Sequence, residues 1–182
     1  SATKWIGDNI EFRVMDGTKL DFESEYFDKI VSFETIEHTT KYREMLLELN
    51  RVLKSDGVAF ISTPNILINS PKGFVENPYH TQEWQFHELE EILNNAFDEV
   101  KIFGQKYSRY DDPAIPKVGM ALETVLTQRL IRRLPTDLKN RVANLVIGKR
   151  FYPQSDDFSL VSDPNEIVKC QTFFCICKKR KA

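Results

Sequence analysis

Glycine is scarce and widely spaced in this sequence. The seven glycines lie at positions 7, 17, 57, 73, 104, 119 and 148, so that no two of them are closer than ten residues. A loop that binds a nucleotide cofactor through its backbone needs closely spaced glycines, because only glycine lets the backbone come so near to a ligand. These 182 residues therefore contain no glycine-rich cofactor loop.

Cysteines are few, and long apolar runs are absent. An odd set of three, Cys170, Cys175 and Cys177, gives no disulfide framework and predicts reduced thiols in a cytoplasmic protein. No second ligand pair stands at a suitable spacing from Cys175-x-Cys177, so we expect no metal site. No run of 18 apolar residues occurs, and no signal peptide opens the chain, so we expect no membrane span.

The net charge of −2 is unevenly distributed. Residues 117–150 contain eight basic and two acidic side chains, which makes this segment +6. It could cover a substrate, bind a phosphorylated glycan carrier, contact an anionic membrane surface or simply be a solvated helical face. Basic and aromatic residues do not alternate as they do in proteins that grip nucleic acid, so we expect no nucleic-acid partner.

Apolar periodicity predicts an α/β fold of one domain, residues 1–182, with a mostly parallel sheet. The nearly continuous apolar end of FDKIVSF is typical of a strand that is buried on both faces. A helical insertion, which contains helices 118–133 and 136–149, is predicted at about residues 108–169, before the last strand. The elements of the sheet are predicted as strand 10–15, strand 27–33, helix 41–53, strand 58–62, helix 86–96, strand 99–103 and strand 173–177.

Polar residues follow the predicted strands, where an α/β sheet binds its ligands. The first strand ends in Met15-Asp16-Gly17, and the second runs into the segment from Ser32 to His38, SFETIEH. The third ends in Ser62-Thr63-Pro64-Asn65, and a loop from Asn77 to Trp84, NPYHTQEW, comes after it. Together these segments resemble class I S-adenosylmethionine-dependent methyltransferases, of the kind that acts on small molecules and glycans.

The resemblance covers residues 9–107 and the last strand, and it implies a cofactor site. Asp16 would accept a hydrogen bond from the adenine amino group, and the backbone N–H of Gly17 would meet the ring. Phe33 and Glu34 would lie near the methionine part of S-adenosylmethionine. The alternative for Asp16-Gly17 is an ordinary turn.

The resemblance also places the methyl acceptor beyond Glu34. Glu37, His38 and His80 would then lie near it, and each is a candidate base for an acceptor hydroxyl. The alternative for Glu37 is a residue that favours a helix start, and the alternative for His80 is a loop histidine bound to backbone.

The resemblance finally implies that the cofactor site is incomplete in this chain. The glycine-rich loop, the first two strands and the ribose-binding acid of this incomplete Rossmann-like sheet are not among its residues. In the family's strand order, 3-2-1-4-5-7-6, strand 10–15 would lack its inner neighbours. We therefore expect it to pair with strand 27–33, to pair with a second copy in a homodimer, or to pair with strands supplied separately.

The sequence thus predicts a methyltransferase, or its C-terminal part, that acts on a small molecule or a glycan intermediate. The alternative from another class is a non-catalytic fragment. It would bind a protein partner through an exposed sheet edge and the basic helices.

Overall fold

A computed structural model describes residues 10–107 and 158–179 of the chain, together with the isolated positions 135, 137, 138, 141 and 145. The chain divides into two compact units, one of residues 1–104 and 162–182 and the other of residues 105–161. Whether they form the single domain expected from the sequence stays a prediction. The predicted helices 118–133 and 136–149, and with them most of the basic segment, lie outside the described residues.

Strands and helices alternate along the described chain. Among its helices, none combines the length and the hydropathy that crossing a bilayer requires. In chain order the elements are β1 (Phe27–Phe33), a 3₁₀ turn (Ile36–His38), α1 (Tyr42–Val52), β2 (Leu53–Pro64), α2 (Ile66–Asn69), α3 (Phe86–Asn94), β3 (Glu99–Tyr107), β4 (Phe158–Val161), α4 (Pro164–Ile167) and β5 (Thr172–Lys178).

The sheet confirms the α/β class, but its described pairings are mixed. The strands of the first unit lie in the order β1-β2-β5-β3. β1 runs parallel to β2, and β2 runs antiparallel to β5. The expectation of a mostly parallel sheet is therefore wrong for these pairs. β5 comes from residues far along the chain and enters the sheet at the end where β2 leaves it, so the two strands run in opposite directions.

Residues 10–15 form no strand, which corrects the first prediction of the sequence analysis. The segment is unpaired, and its alternating apolar residues Ile10, Phe12 and Val14 are exposed. Alternation fits an edge strand locally, but a strand also needs a hydrogen-bonded neighbour. Within the part of the chain that is described, β1 offers it none.

β1 is also less buried than its sequence predicts. Only Ser32 of its seven residues is buried, while the side chains of Val31 and Phe33 are 62% and 48% exposed. The expectation of burial on both faces is therefore wrong. β1 stands at the end of the strand order, so its outer edge has no neighbouring strand among the described residues.

The core lies on one face of the two central strands, β2 and β5. Their fully buried residues face each other in register, Ala59 with Cys177, Ile61 with Cys175 and Thr63 with Phe173. Both long helices add buried leucines to the core, which are Leu46 and Leu49 from α1 and Leu89 and Leu93 from α3. Burial of each of these side chains contributes about 1.5–3 kcal/mol to the stability of the fold.

Candidate functional site

β1 and β2 end side by side because they run parallel. Their last register pair is Phe33 with Ser62, and Glu34 follows at once. The backbone N–H of Glu34 donates to Ser62 O over 3.0 Å, and Ser62 Oγ donates to Glu34 Oε1 over 2.8 Å. Glu34 takes a left-handed backbone with φ of +47°. A non-glycine residue held in this conformation costs about 1–3 kcal/mol, which is a strain often found at functional sites.

Asp16 forms a turn, which the sequence offers as the alternative to an adenine contact. Its Oδ1 accepts hydrogen bonds from the backbone N–H and from Oγ1 of Thr18, each 2.8 Å long. The Thr18 N–H lowers the pKa of this carboxyl most, and the Thr18 hydroxyl adds to the effect. The side chain is therefore an ionised acceptor, held in one orientation by the turn.

Helix α1 holds the segment that follows this turn. A side chain added at Gly17 would lie 3.5 Å from the sulfur of Met45. Glu48 Oε1 accepts from Leu20 N over 2.7 Å, and Arg51 Nη2 donates to the carbonyl oxygen of Leu20 over 3.1 Å. These contacts fix Asp16 and Gly17 beside α1.

Glu37 is the most unusual residue near the strand ends. Its side chain is fully buried, and Oε2 accepts a hydrogen bond from Thr63 Oγ1 over 3.2 Å. Oε1 is buried and has no hydrogen-bond partner among the residues that the structure describes. Burial raises the pKa of this carboxyl above its ordinary value. A carboxyl oxygen left unpaired in the interior is costly, so its presence requires an explanation.

The loop from Asn77 to Trp84 docks on the backbone of Glu37. The N–H of Thr81 donates to Glu37 O over 2.8 Å, and Thr81 Oγ1 donates to the same oxygen over 3.0 Å. These bonds bring His80 to the side of His38, with ring centroids 4.8 Å apart. Three predicted residues, Glu37, His38 and His80, thus meet at one place.

The hydrogen-bond partners of His38 and His80 indicate which ring nitrogen of each imidazole carries the proton. His38 Nδ1 lies 2.8 Å from the carbonyl oxygen of Tyr79, which can only accept, so Nδ1 carries the proton. His80 Nδ1 lies 2.6 Å from Glu83 Oε1, while His80 Nε2 lies 2.9 Å from the donor Asn77 Nδ2. In the neutral form, the Nε2 lone pair of His38 is therefore free, whereas the Nε2 lone pair of His80 accepts a hydrogen bond from Asn77 Nδ2.

Two residues of the quoted motifs, Glu83 and Asn65, have roles in this region that the sequence did not predict. Glu83 is buried, and its second oxygen accepts from Ser70 Oγ over 2.7 Å, which holds the carboxylate against His80. Asn65 is fully buried, and its side-chain nitrogen donates to the carbonyl oxygens of Val168 and Cys170, each over 2.9 Å. The spacing His80-x-x-Glu83 could have revealed Glu83, whereas the partners of Asn65 are more than 100 residues away in the chain.

A surface pocket lies elsewhere. It has a volume of about 430 Å³ and is lined by Glu25, Asp28 and residues 54–57, around the amino end of β1. Glu34 follows the other end of that seven-residue strand, about 20 Å away. This pocket includes none of the predicted site residues.

The matching family model is that of a methyltransferase domain, and it matches residues 1–61. A "Probable S-adenosylmethionine-dependent methyltransferase" of Mycolicibacterium smegmatis is 40% identical over 75 residues, which are 41% of this chain and 29% of that protein. The chain thus spans less than a third of the curated relatives that it matches.

Solved structures share the fold. A methyltransferase dependent on S-adenosylmethionine from Archaeoglobus fulgidus matches 97% of this chain and 71% of its own, with a TM-score of 0.53 and 17% identity. A phosphoethanolamine N-methyltransferase of Haemonchus contortus, solved with S-adenosylhomocysteine, matches 91% of this chain and 36% of its own. Its TM-score is 0.50 and its identity 18%. At these identities the likeness shows the fold alone.

Proposed function

We propose that this chain, which belongs to the class I S-adenosylmethionine-dependent methyltransferases, takes part in methyl transfer to a small molecule or a glycan intermediate. The observation that carries the proposal is the meeting of SFETIEH and the NPYHTQEW loop beside the ends of β1 and β2. Ligands of α/β sheets bind outside the carboxyl ends of the strands. The cofactor is S-adenosylmethionine.

Asp16 and Gly17 form the adenine side of the proposed site. The Asp16 carboxylate is ionised and accepts only, which suits an exocyclic amine. Thr18 uses Oδ1, which leaves Oδ2 for the adenine amino group. The N–H of Gly17 would meet the ring.

Phe33 and Glu34 form the methionine side of the proposed site. The exposed edge of the Phe33 ring would contact the apolar part of the cofactor, since its other side meets Phe174 at a centroid distance of 5.7 Å. The left-handed backbone of Glu34 turns the chain away from the sheet and leaves room at the strand end.

Glu37, His38 and His80 form the acceptor side. The acceptor oxygen attacks the methyl carbon in line, the carbon–sulfur bond breaks, and S-adenosylhomocysteine leaves with the electron pair. The cofactor is already activated, so the protein mainly aligns the reactants. An acceptor hydroxyl also loses its proton, and we propose that these three residues act on that proton.

Calorimetry with S-adenosylhomocysteine tests the cofactor side. Asp16→Asn keeps the acceptor Oδ1 for Thr18 but puts an amide donor or a neutral oxygen where the adenine amine needs a carboxylate. We expect the dissociation constant to rise about tenfold or more. Asp21→Asn is the matched control, because it removes an exposed carboxylate of the same segment. Equal affinities of the Asp16 variant and the unchanged protein would refute the adenine contact.

Transfer of label from tritiated S-adenosylmethionine tests the acceptor class. The enzyme is the chain with any further residues that its gene encodes, and the panel contains monosaccharides, nucleotide sugars, oligosaccharides, RNA and a protein. We expect label in one or more of the sugars. Label only in RNA or in protein would overturn the proposed substrate class.

The second candidate function, binding of a protein partner, is favoured by the edge of β1. This strand exposes Val31 and Phe33 and has one neighbouring strand, β2, among the described residues. Such an edge can pair with another chain, either a different protein or a second copy. Val31→Lys, followed by light scattering after size exclusion, tests it. A complex lost in the variant would support this function, and an unchanged monomer would count against it.

A further inference from the structure

We propose that Glu37, His38 and His80 bind a divalent transition-metal ion. One ligand atom from each residue lies within 4.8 Å of the other two. From the sequence we expect no metal site, because no second ligand pair stands at a suitable spacing from Cys175-x-Cys177. Here two of the ligands are neighbours in the chain, and the third arrives on a distant loop.

The buried carboxylate of Glu37 is the first argument. Oε1 has no hydrogen-bond partner although the side chain is fully buried, and it lies 3.7 Å from His38 Nε2. An unpaired buried oxygen of this kind is costly, and more so when it is charged. A cation between Oε1 and Nε2 would pair the oxygen.

The orientation of the two imidazoles is the second argument. A histidine that binds a metal through one nitrogen usually donates the other N–H to a carbonyl or a carboxylate, which fixes the ring. His38 donates in this way to the carbonyl oxygen of Tyr79, and His80 donates to Glu83. Both Nε2 atoms thereby carry the lone pair that a metal needs; the pair of His38 is free, and the pair of His80 is occupied by the amide nitrogen of Asn77.

The distances between the ligand atoms show which of them must move for a metal to bind. Two ligand atoms about 2.1 Å from a tetrahedral zinc ion stand about 3.4 Å apart. The pair Glu37 Oε1 and His38 Nε2, at 3.7 Å, is close to that value. His80 Nε2 must leave the amide nitrogen of Asn77, now 2.9 Å away, to join them.

The donor set selects the metal class. Two imidazoles and one carboxylate suit zinc, iron, cobalt or nickel, whereas magnesium and calcium prefer sites made of oxygens. Three protein ligands leave a coordination position open, as in catalytic sites. The role of the metal in methyl transfer rests on the proposed function. A coordinated acceptor hydroxyl would release its proton to solvent more readily, and its oxygen would then take the methyl group.

Titration of the chain with Co²⁺, followed by absorption spectroscopy, tests the site. We expect one ion per chain, with visible bands of a four- or five-coordinate ion and no strong thiolate-to-cobalt band. Thiolate bands would assign the metal to the cysteines and overturn the proposal. Displacement of Co²⁺ by Mg²⁺ at equal concentration would overturn the metal class.

Variants then identify the ligands. His38→Asn, His80→Asn and Glu37→Gln should each weaken Co²⁺ binding about 100-fold or more, since even the partners that orient ligands are worth about 10–100-fold. His87→Asn is the matched control, because it changes the third histidine of the chain, which is exposed on α3. An equal loss in the His87 variant, or no loss in the other three, would contradict the proposal.

Asn77→Asp keeps the test decisive if a buried variant fails to fold. It keeps the acceptor Oδ1 that Tyr79 N contacts over 3.0 Å, and it replaces the competing donor by a carboxylate oxygen. We expect Co²⁺ to bind about tenfold more tightly at about pH 8, because the competing amide donor is gone, a negative charge is added, and a proton on His80 Nε2 competes less with the metal at that pH. Weaker binding would contradict the proposal. No cofactor is used, so failure here leaves the proposed methyl transfer untouched, and failure to bind S-adenosylhomocysteine leaves the metal site untouched.

Discussion

Asn65 provides a direct test of how the strand ends are held in place. It follows β2 and is fully buried. Its Nδ2 donates to the carbonyl oxygens of Val168 and Cys170, and its Oδ1 accepts from Leu67 N over 3.1 Å at the start of α2. One side chain thus ties the end of β2 to α2 and to the segment before β5.

The magnitude follows from these three hydrogen bonds. Asn65→Ala removes all of them, and each contributes about 0.5–1.5 kcal/mol net. Because the bonds share one side chain, we expect a total loss of about 2–4 kcal/mol in the free energy of unfolding. Asn65→Asp keeps the acceptor for Leu67 but turns a carboxylate towards two carbonyl oxygens. At neutral pH it should therefore cost at least as much as alanine.

Urea unfolding, followed by tryptophan fluorescence, measures the loss, since the backbone of Asn65 is bridged to that of the buried Trp84. The shift of the urea midpoint at constant slope gives the change in free energy. Asn94→Ala is the matched control, an exposed asparagine of α3 whose loss should cost less than about 0.5 kcal/mol. An Asn65→Ala loss as small as that of the control would refute the assigned role.

Two further predictions concern ionisable groups that are not among the residues proposed to touch the cofactor or the acceptor. The hydrogen bond from Arg51 lowers the pKa of Glu48, so its stabilising effect is present above the ordinary glutamate pKa and is lost as the pH falls through the lowered one. Glu48→Gln should thus reduce the urea midpoint at neutral pH, and this reduction should shrink progressively as the pH falls below the ordinary glutamate pKa of about 4.3, whereas a reduction that does not change with pH would contradict this. Burial raises the pKa of Cys177 to about 12, and burial also raises that of Cys175. Mass spectrometry should therefore find neither thiol alkylated by iodoacetamide in the native chain and both alkylated in urea, and rapid native labelling would be the opposite result.

Local patterns of apolar residues correctly predicted those elements whose backbone finds hydrogen-bond partners in the structure. The alternation in Phe173–Cys177 became β5, and the helical spacing of Leu46 and Leu49 became the buried face of α1. The same kind of alternation failed at residues 10–15, because a strand requires a partner that the pattern does not specify. The prediction that β1 is buried on both faces was wrong for the same reason.

The residues that meet at the candidate site were named from the sequence, whereas the contacts that hold them in place were not. Glu37, His38 and His80 were named from the sequence and lie together. Their contacts could not be predicted, because the Tyr79 carbonyl and Thr63 are placed by backbone pairing between distant segments. The unpaired oxygen of Glu37 is likewise a property of packing.

Titration with S-adenosylhomocysteine, followed through backbone amide signals in nuclear magnetic resonance spectra, tests the central claim most directly. The claim is that the turn at Asp16 and the end of β1 form one wall of a methyltransferase cofactor site. Amide shifts detect weak binding, which is what a partial site should show. Adenosine serves as the matched control ligand, since it carries the adenine and lacks the amino-acid part.

At millimolar ligand, S-adenosylhomocysteine should shift the amides of residues 16–18 and 33–35 and leave those of residues 54–57, near the amino end of β1, unchanged. Adenosine should shift the first group alone. Asp16→Asn should reduce the shifts at residues 16–18 for both ligands. No shift in either group, or shifts centred on residues 54–57, would contradict the account.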